Sequence, residues 1–304
     1  MYGVSCMWYL GNTKGLIVQN VTFAHTGGFA VQIGDTENAF FDNIHFEHCY
    51  ADGIHINGNT QNVRCRHIHG QVGDDLVALN AYDWQDSSVN FGSIDTVLCE
   101  DLDAWEGSLY RALRAVPGVY WYDDGSRKEC TVQNVLFRRV RGVRTLKMYY
   151  QTPSYAIGTP PERGAVGKAE HIYLEDIDFD LCEPVDGLAE YTQSDPVRGA
   201  FGAVELGADI GYMRLENIRI RLYKEKYPYS YLVCCGPKSA RVGEREIFDP
   251  YLSNTVQTLV LSNITVNGER VTSANELVHE THFDDINQDG HSTGCGKIRN
   301  IVIE

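Results

Sequence analysis

Apolar residues in this chain alternate with polar ones in short runs that recur at a nearly fixed spacing. Phe29-Ala-Val-Gln-Ile-Gly34, Asp52-Gly-Ile-His-Ile-Asn57 and Asp75-Leu-Val-Ala-Leu-Asn80 place Val31, Ile54 and Val77 at successive intervals of 23 residues. Ile33, Ile56 and Leu79 keep the same interval. A second alternating run accompanies each of these: Gln19-Asn-Val-Thr-Phe23, Asp42-Asn-Ile-His-Phe46 and Arg66-His-Ile-His69. Alternation of this kind predicts half-buried strands. The connections lack the two-residue Asn-Gly or Asp-Gly turns of hairpins, so the strands read as successive coils of a solenoid, with equivalent residues about 4.8 Å apart along its axis.

The same signature returns at Val132–Phe137, His171–Phe179, Met213–Ile220, Leu259–Val266 and Ile298–Ile303. Most of these runs carry Asn or Asp just before the second apolar segment, as expected of a corner where a short polar side chain tolerates left-handed torsions. Asn57 and Asn80, in register, are expected to form a ladder of stacked amides. One domain over residues 1–304 follows. The segments 82–92, 105–127, 149–167 and 181–201 read as long loops, and their Trp and Tyr residues either pack the loops down or face sugar rings. The first strand starts near Leu16 with no capping helix before it. Either this is a shortened form of a longer chain, which is favoured, or a partner subunit in a homo-oligomer covers that end.

Composition narrows the functional classes. Of 304 residues, 43% are hydrophobic and 22% charged, an ordinary globular balance. The formal net charge of −15 disfavours nucleic acid and anionic membranes as partners. No apolar run approaches the roughly 20 residues that span a bilayer, and no signal peptide is visible, so a cytoplasmic location is expected. The nine cysteines lack a CxxC pair and read as reduced structural thiols, with a disulfide such as Cys49–Cys65 as the alternative.

The candidate chemistry lies in carboxylates. Asp52 and Asp75 share a place in consecutive coils, and Asp74 precedes Asp75, so three acids crowd one edge of the stack. Like charges so close raise at least one pKa, which separates a protonated acid from an ionised base, as glycoside hydrolysis requires. The alternatives are turn aspartates capping backbone amides and a cation site. His55, between two core-facing isoleucines, is expected to point outward into solvent, or to touch substrate. Other histidines lack metal-ligand spacing, so no metal and no cofactor is expected. Asp285-Ile-Asn-Gln-Asp289-Gly290 matches only the opening of a calcium loop, because Gly296 stands where the last acid belongs.

Ala51-Asp52-Gly53-Ile54-His55-Ile56 and Gly73-Asp74-Asp75-Leu76-Val77-Ala78-Leu79 resemble the Asn-Thr-Asp-Gly and Gly-Asp-Asp motifs of the polygalacturonases, glycoside hydrolase family 28. The resemblance implies an all-β, single-stranded right-handed parallel β-helix, a pectin-lyase-like solenoid, that hydrolyses a carbohydrate with inversion. It implies Asp74 as general acid and Asp52 with Asp75 as the pair activating water. Arg144-Thr-Leu-Lys147 is similar to the family's Arg-Ile-Lys element, whose cations hold a substrate carboxylate. Asn80, Tyr82, Trp84 and Tyr149 are expected to join His55, Arg144 and Lys147 in contacting the sugar. The chain departs from the family where Ser93–Glu100 lacks the Gly-His-Gly motif and where Tyr50 and Ala51 replace the asparagine. The likeness covers about residues 15–80, and a sugar other than a uronic acid is expected. A polysaccharide lyase using Arg144 or Lys147, and a non-catalytic carbohydrate-binding solenoid, are the competing readings.

Overall fold

In a computed structural model the chain is all-β, with one large, mostly parallel sheet of many strands. The described residues are 6–82, 88–105, 107–108, 110–148, 166–182, 200–237, 240–242, 245–247, 253–282 and 295–304. Alternation sets the pairing. Each apolar position lies over its equivalent one period earlier: Ile44, Ile68, Leu102, Val140, Ile177, Ile218 and Ile264 form one continuous, fully buried row. A one-residue slip of any strand would turn its whole apolar set outward, so burial fixes the register.

The long strands Phe29–Cys49, Thr60–Val72, Ile94–Ala104, Val132–Val143, Lys168–Leu181, Asp209–Leu222 and Ser253–Val266 share one left-handed corner at the same register position, and five of them carry at least one more. The residues at the shared corner are Asn43, His67, Asp101, Arg139, Asp176, Asn217 and Asn263. They stack in register, and all have φ between 51° and 58°. Where two asparagines follow each other the side chains bond along the column, Asn43 Nδ2 to Asn20 Oδ1 at 2.8 Å and Asn263 Nδ2 to Asn217 Oδ1 at 2.7 Å. The amide ladder therefore runs along these corners and not through Asn57 and Asn80. The Asn57 Oδ1 instead accepts from Gln32 Nε2 at 2.9 Å and from the Val89 N–H at 3.2 Å.

A second set of short strands lies side by side: Ile54–Asn57, Asp75–Asn80, Ala112–Val116, Thr145–Met148, Phe201–Leu206, Ser230–Cys235 and Val278–Glu280. This row carries the candidate site. Its third member overturns part of the expectation for 105–127: within that stretch lie the strand Ala112–Val116 and the strand Gly118–Trp121, which pairs with Arg127–Cys130 as an antiparallel hairpin. All nine cysteines are free thiols, so the alternative Cys49–Cys65 disulfide is absent. Among the described residues no helix is long and apolar enough to cross a membrane.

Candidate active site

The outward residues of the short strands form a single column across the sheet: Gln32, His55, Ala78, Arg114, Lys147 and Glu205. Backbone chemistry at the first two periods puts the aspartates at its edge. Gly53 and Gly73 sit where neighbouring chain segments nearly touch. A Cβ at Gly73 would overlap the Tyr50 carbonyl, and one at Gly53 would overlap Phe46 and the Leu76 carbonyl. The glycines that flank the acids are thus required by close backbone approach. A register shift between Asp75 and Val77 places both Asp75 and Leu76 opposite Ala112. Such a bulge re-aims a side chain, and here it sends Leu76 to the core and the Asp75 carboxyl toward Arg114.

Asp52, Asp74 and Asp75 each contribute an oxygen to a cluster whose atoms all lie within 4.8 Å of one another. Asp52 and Asp75 are buried, while the Asp74 side chain remains 32% exposed and is the one that faces solvent. Arg114 Nε lies 2.7 Å from Asp75 Oδ2, and its guanidinium reaches Asp74 Oδ2 at 3.4 Å. Lys147 Nζ bridges Asp74 at 3.1 Å and Asp75 at 3.5 Å, with the Tyr110 ring 4.7 Å away. The three carboxylates could hold a divalent cation, but the ammonium of Lys147 and the guanidinium of Arg114 already take the neutralising positions.

Asp52 is held differently. Its Oδ1 accepts the Asp75 backbone N–H at 3.1 Å, and its Oδ2 lies 2.6 Å from His55 Nδ1. Because Asn57 Oδ1 is fixed as an acceptor by the Val89 N–H, Asn57 Nδ2 must donate toward His55 Nε2, 3.3 Å away. That leaves Nδ1 as the protonated ring nitrogen, donating to Asp52. Asn80 Nδ2 also sits 3.2 Å from His55 Nε2. Contrary to the expectation of a solvent-facing imidazole, His55 is fully buried. It does point away from the core, but the Phe29 ring stacks on it at 4.0 Å and closes it off.

The charges divide the two adjacent acids. Burial pushes Asp75 upward against the pull of Arg114 and Lys147, with Asp74 and Asp52 adding to the rise, and its carboxyl reaches about 7. Burial also acts upward on Asp74, but Arg114 and Lys147 outweigh it and hold that carboxyl below its ordinary value. Within the pair, burial favours the proton on Asp75, and the shared cations favour ionisation of Asp74.

The other expected contacts separate. Lys147 reaches the acids, Asn80 reaches His55, and Arg144 lies beside Arg111 one period on, its backbone N–H donating to the Arg111 carbonyl at 2.7 Å. Tyr82 does not serve as expected: at 3% exposure it packs in the core against Phe91 and Gly118 and has no free face for a sugar. Trp84, Tyr149 and the Asp285–Asp289 segment lie outside the described residues. Arg114 was not anticipated. Its signal is an internal match, since Arg111-Ala-Leu-Arg114 repeats as Arg144-Thr-Leu-Lys147 in the next period. No protein family, no curated protein and no solved structure matches the chain.

Proposed function

We propose that the chain winds as a right-handed parallel β-helix and is a glycoside hydrolase acting on an oligo- or polysaccharide. The observation that carries the reading is the Asp74–Asp75 pair, two adjacent carboxyls driven in opposite directions by burial and by shared cations. Below about pH 7 the pair holds one proton and one negative charge, the two states that glycosidic cleavage uses. Asp74 faces the substrate. Asp75 lies behind it and resupplies the proton that Asp74 gives to the leaving oxygen, and the proton of the attacking water returns to Asp74, the member that solvent reaches. Asp52 is a positioning residue, since both its oxygens are engaged in fixing the Asp75 backbone and the His55 ring.

Inversion is carried by the resemblance alone. The closest oxygens lie within 4.8 Å, shorter than the roughly 6.5–9.5 Å usual for inverting pairs and nearer the roughly 5–5.5 Å of retaining ones. Proton NMR of the first-formed anomer reads the outcome. One observation favours a second reading, saccharide binding without turnover: Asp52 and Asp75 are both buried and both engaged by neighbouring donors. The lyase reading would need Arg144 or Lys147 as base, and Lys147 is committed to Asp74 and Asp75.

The test is turnover of a panel of nitrophenyl glycosides and pectic oligosaccharides by the wild type and Asp74→Asn. The expected result is a loss of at least about 100-fold in kcat with the fold intact, the usual scale for removing an acid–base group. Undiminished cleavage by the variant would refute the assignment. Binding without any cleavage by the wild type would establish the second reading, and ultraviolet-absorbing products would establish a lyase.

A further inference from the structure

A cavity of about 610 Å³ lies around the corner from the acids, on the face formed by the ends of the long strands. Its size falls within the roughly 300–1,000 Å³ of ligand sites. Arg111 belongs to its wall and also holds the corner position one period beyond Asp74, so the cavity begins beside the candidate active site. From there it crosses the periods of Gly142, Asp180 and Arg221 to that of Thr265. Four steps at about 4.8 Å make a groove on the order of 19 Å long.

Its chemistry is specific. Trp105 is 44% exposed at one end. The indole rests on His45 and His69, with ring centroids 4.8 and 5.7 Å away. The backbone beneath is fixed by Trp105 N–H to the Gly70 carbonyl at 3.0 Å and by Gln71 Nε2 to the Gly107 carbonyl at 2.8 Å. The ring is therefore a platform set in place before any ligand arrives. Along the groove, donors and acceptors alternate as ion pairs: Arg111 with Asp180 at 3.6 Å, Arg221 with Asp180 at 3.7 Å, and Arg219 with Asp178. Three arginines face three aspartates once Asp103 is included, so the lining has no formal net charge.

A phosphate-bearing or polyuronate ligand would meet those carboxylates as well as the global charge of −15. A planar stacking surface beside paired donors and acceptors suits an uncharged ring that offers a C–H face and vicinal hydroxyls. We propose that this groove is a saccharide-binding site that takes about three to four units of a neutral glycan, Trp105 stacking on one sugar and the Arg–Asp pairs bonding to hydroxyls further along. The choice of a sugar rests on the carbohydrate reading of the acid cluster, whereas the site itself does not depend on catalysis.

The experiment is titration calorimetry with cellohexaose, xylohexaose, mannohexaose, β-1,4-galactohexaose and hexagalacturonate against the full chain carrying Asp74→Asn, which prevents turnover. At least one neutral hexasaccharide is expected to bind, at least about tenfold more tightly than hexagalacturonate. Adding Trp105→Ala or Arg221→Ala is expected to weaken it by at least about tenfold, as loss of a central contact does. The Arg221 side chain is 70% exposed, so that variant keeps the fold if Trp105→Ala does not. The proposal is overturned if no neutral hexasaccharide binds, if hexagalacturonate binds best, or if neither added substitution changes the affinity. Groove binding that survives Asp74→Asn in a protein whose wild type cleaves nothing would sink the hydrolase reading and leave this site standing.

Discussion

Asp75 shows how one buried carboxyl ties chemistry to stability. The folded protein holds its proton up to about pH 7, whereas the unfolded chain releases it near the ordinary 3.8. Between those values the folded state binds the extra proton, so this group's contribution to stability declines as pH rises from about 4 through 7 and is fully lost above. Asp75→Asn removes the titration. Its stability relative to wild type, measured by urea unfolding at pH 5 and pH 8, is expected to be higher at pH 8 than at pH 5. A difference that stays flat across this range would mean that Asp75 is not the protonated member. Gly73 acts at the same scale by geometry alone, because only a residue without Cβ lets the chain pass the Tyr50 carbonyl and deliver both acids.

The element that makes the long strands possible is the bent corner. Left-handed torsion costs a non-glycine residue roughly 1–2 kcal/mol, and asparagine offsets part of that through local hydrogen bonding. At Asn43, with φ of 56°, the side chain also donates to Asn20 at 2.8 Å. Asn43→Ala keeps the torsional cost and loses the bond, so a destabilisation of about 1–3 kcal/mol by chemical denaturation is expected. Asn43→Gly relieves the torsion and loses only the bond, and should fall between alanine and wild type. Equal stability of all three would show that the corners impose no local cost. The bulge at Asp75 is the other element-scale device, since a regular pairing of Asp75–Asn80 with Ala112–Val116 would leave that carboxyl aimed at the core.

Across the whole molecule, the neighbouring periods are tied by carboxylates that arginines hold ionised. Glu100 is nearly fully buried and engages Arg64 from one neighbouring period and Arg138 and Arg139 from the other. Burial acts upward on it, yet the three arginines bring its carboxyl down to about 2. Hydrogen bonds from Arg66, Arg139 and Arg219 lower Asp42, Asp101 and Asp176 in the same way. Depressed folded values contribute stability that is present above the unfolded values near 4 and is lost as pH falls through them toward about 2. The urea midpoint is therefore expected to drop steeply between pH 5 and pH 2. Glu100→Gln should destabilise the protein at pH 7 by about 1–3 kcal/mol, the scale for losing hydrogen bonds to a charged group whose arginine partners stay half-exposed, and should flatten that acid slope. A variant with the wild-type slope would remove Glu100 from this role.

What the sequence determined by itself was the periodic pairing and the meeting of Asp52 with Asp75, because both depend only on spacing: residues 23 apart fall side by side once apolar positions are stacked. The asparagine corners were legible for the same local reason. Tertiary structure alone decided the rest of the site. Arg114 lies 39 residues beyond Asp75 in a stretch without clear alternation, so its strand became visible only through its partners. Burial, which depends on what lies above a residue, turned His55 from a solvent-facing histidine into the covered partner of Asp52 and moved Tyr82 into the core. It also drove Asp75 up and left Asp74 down, since desolvation and the positions of two cations are sums over neighbours that no single stretch of chain contains.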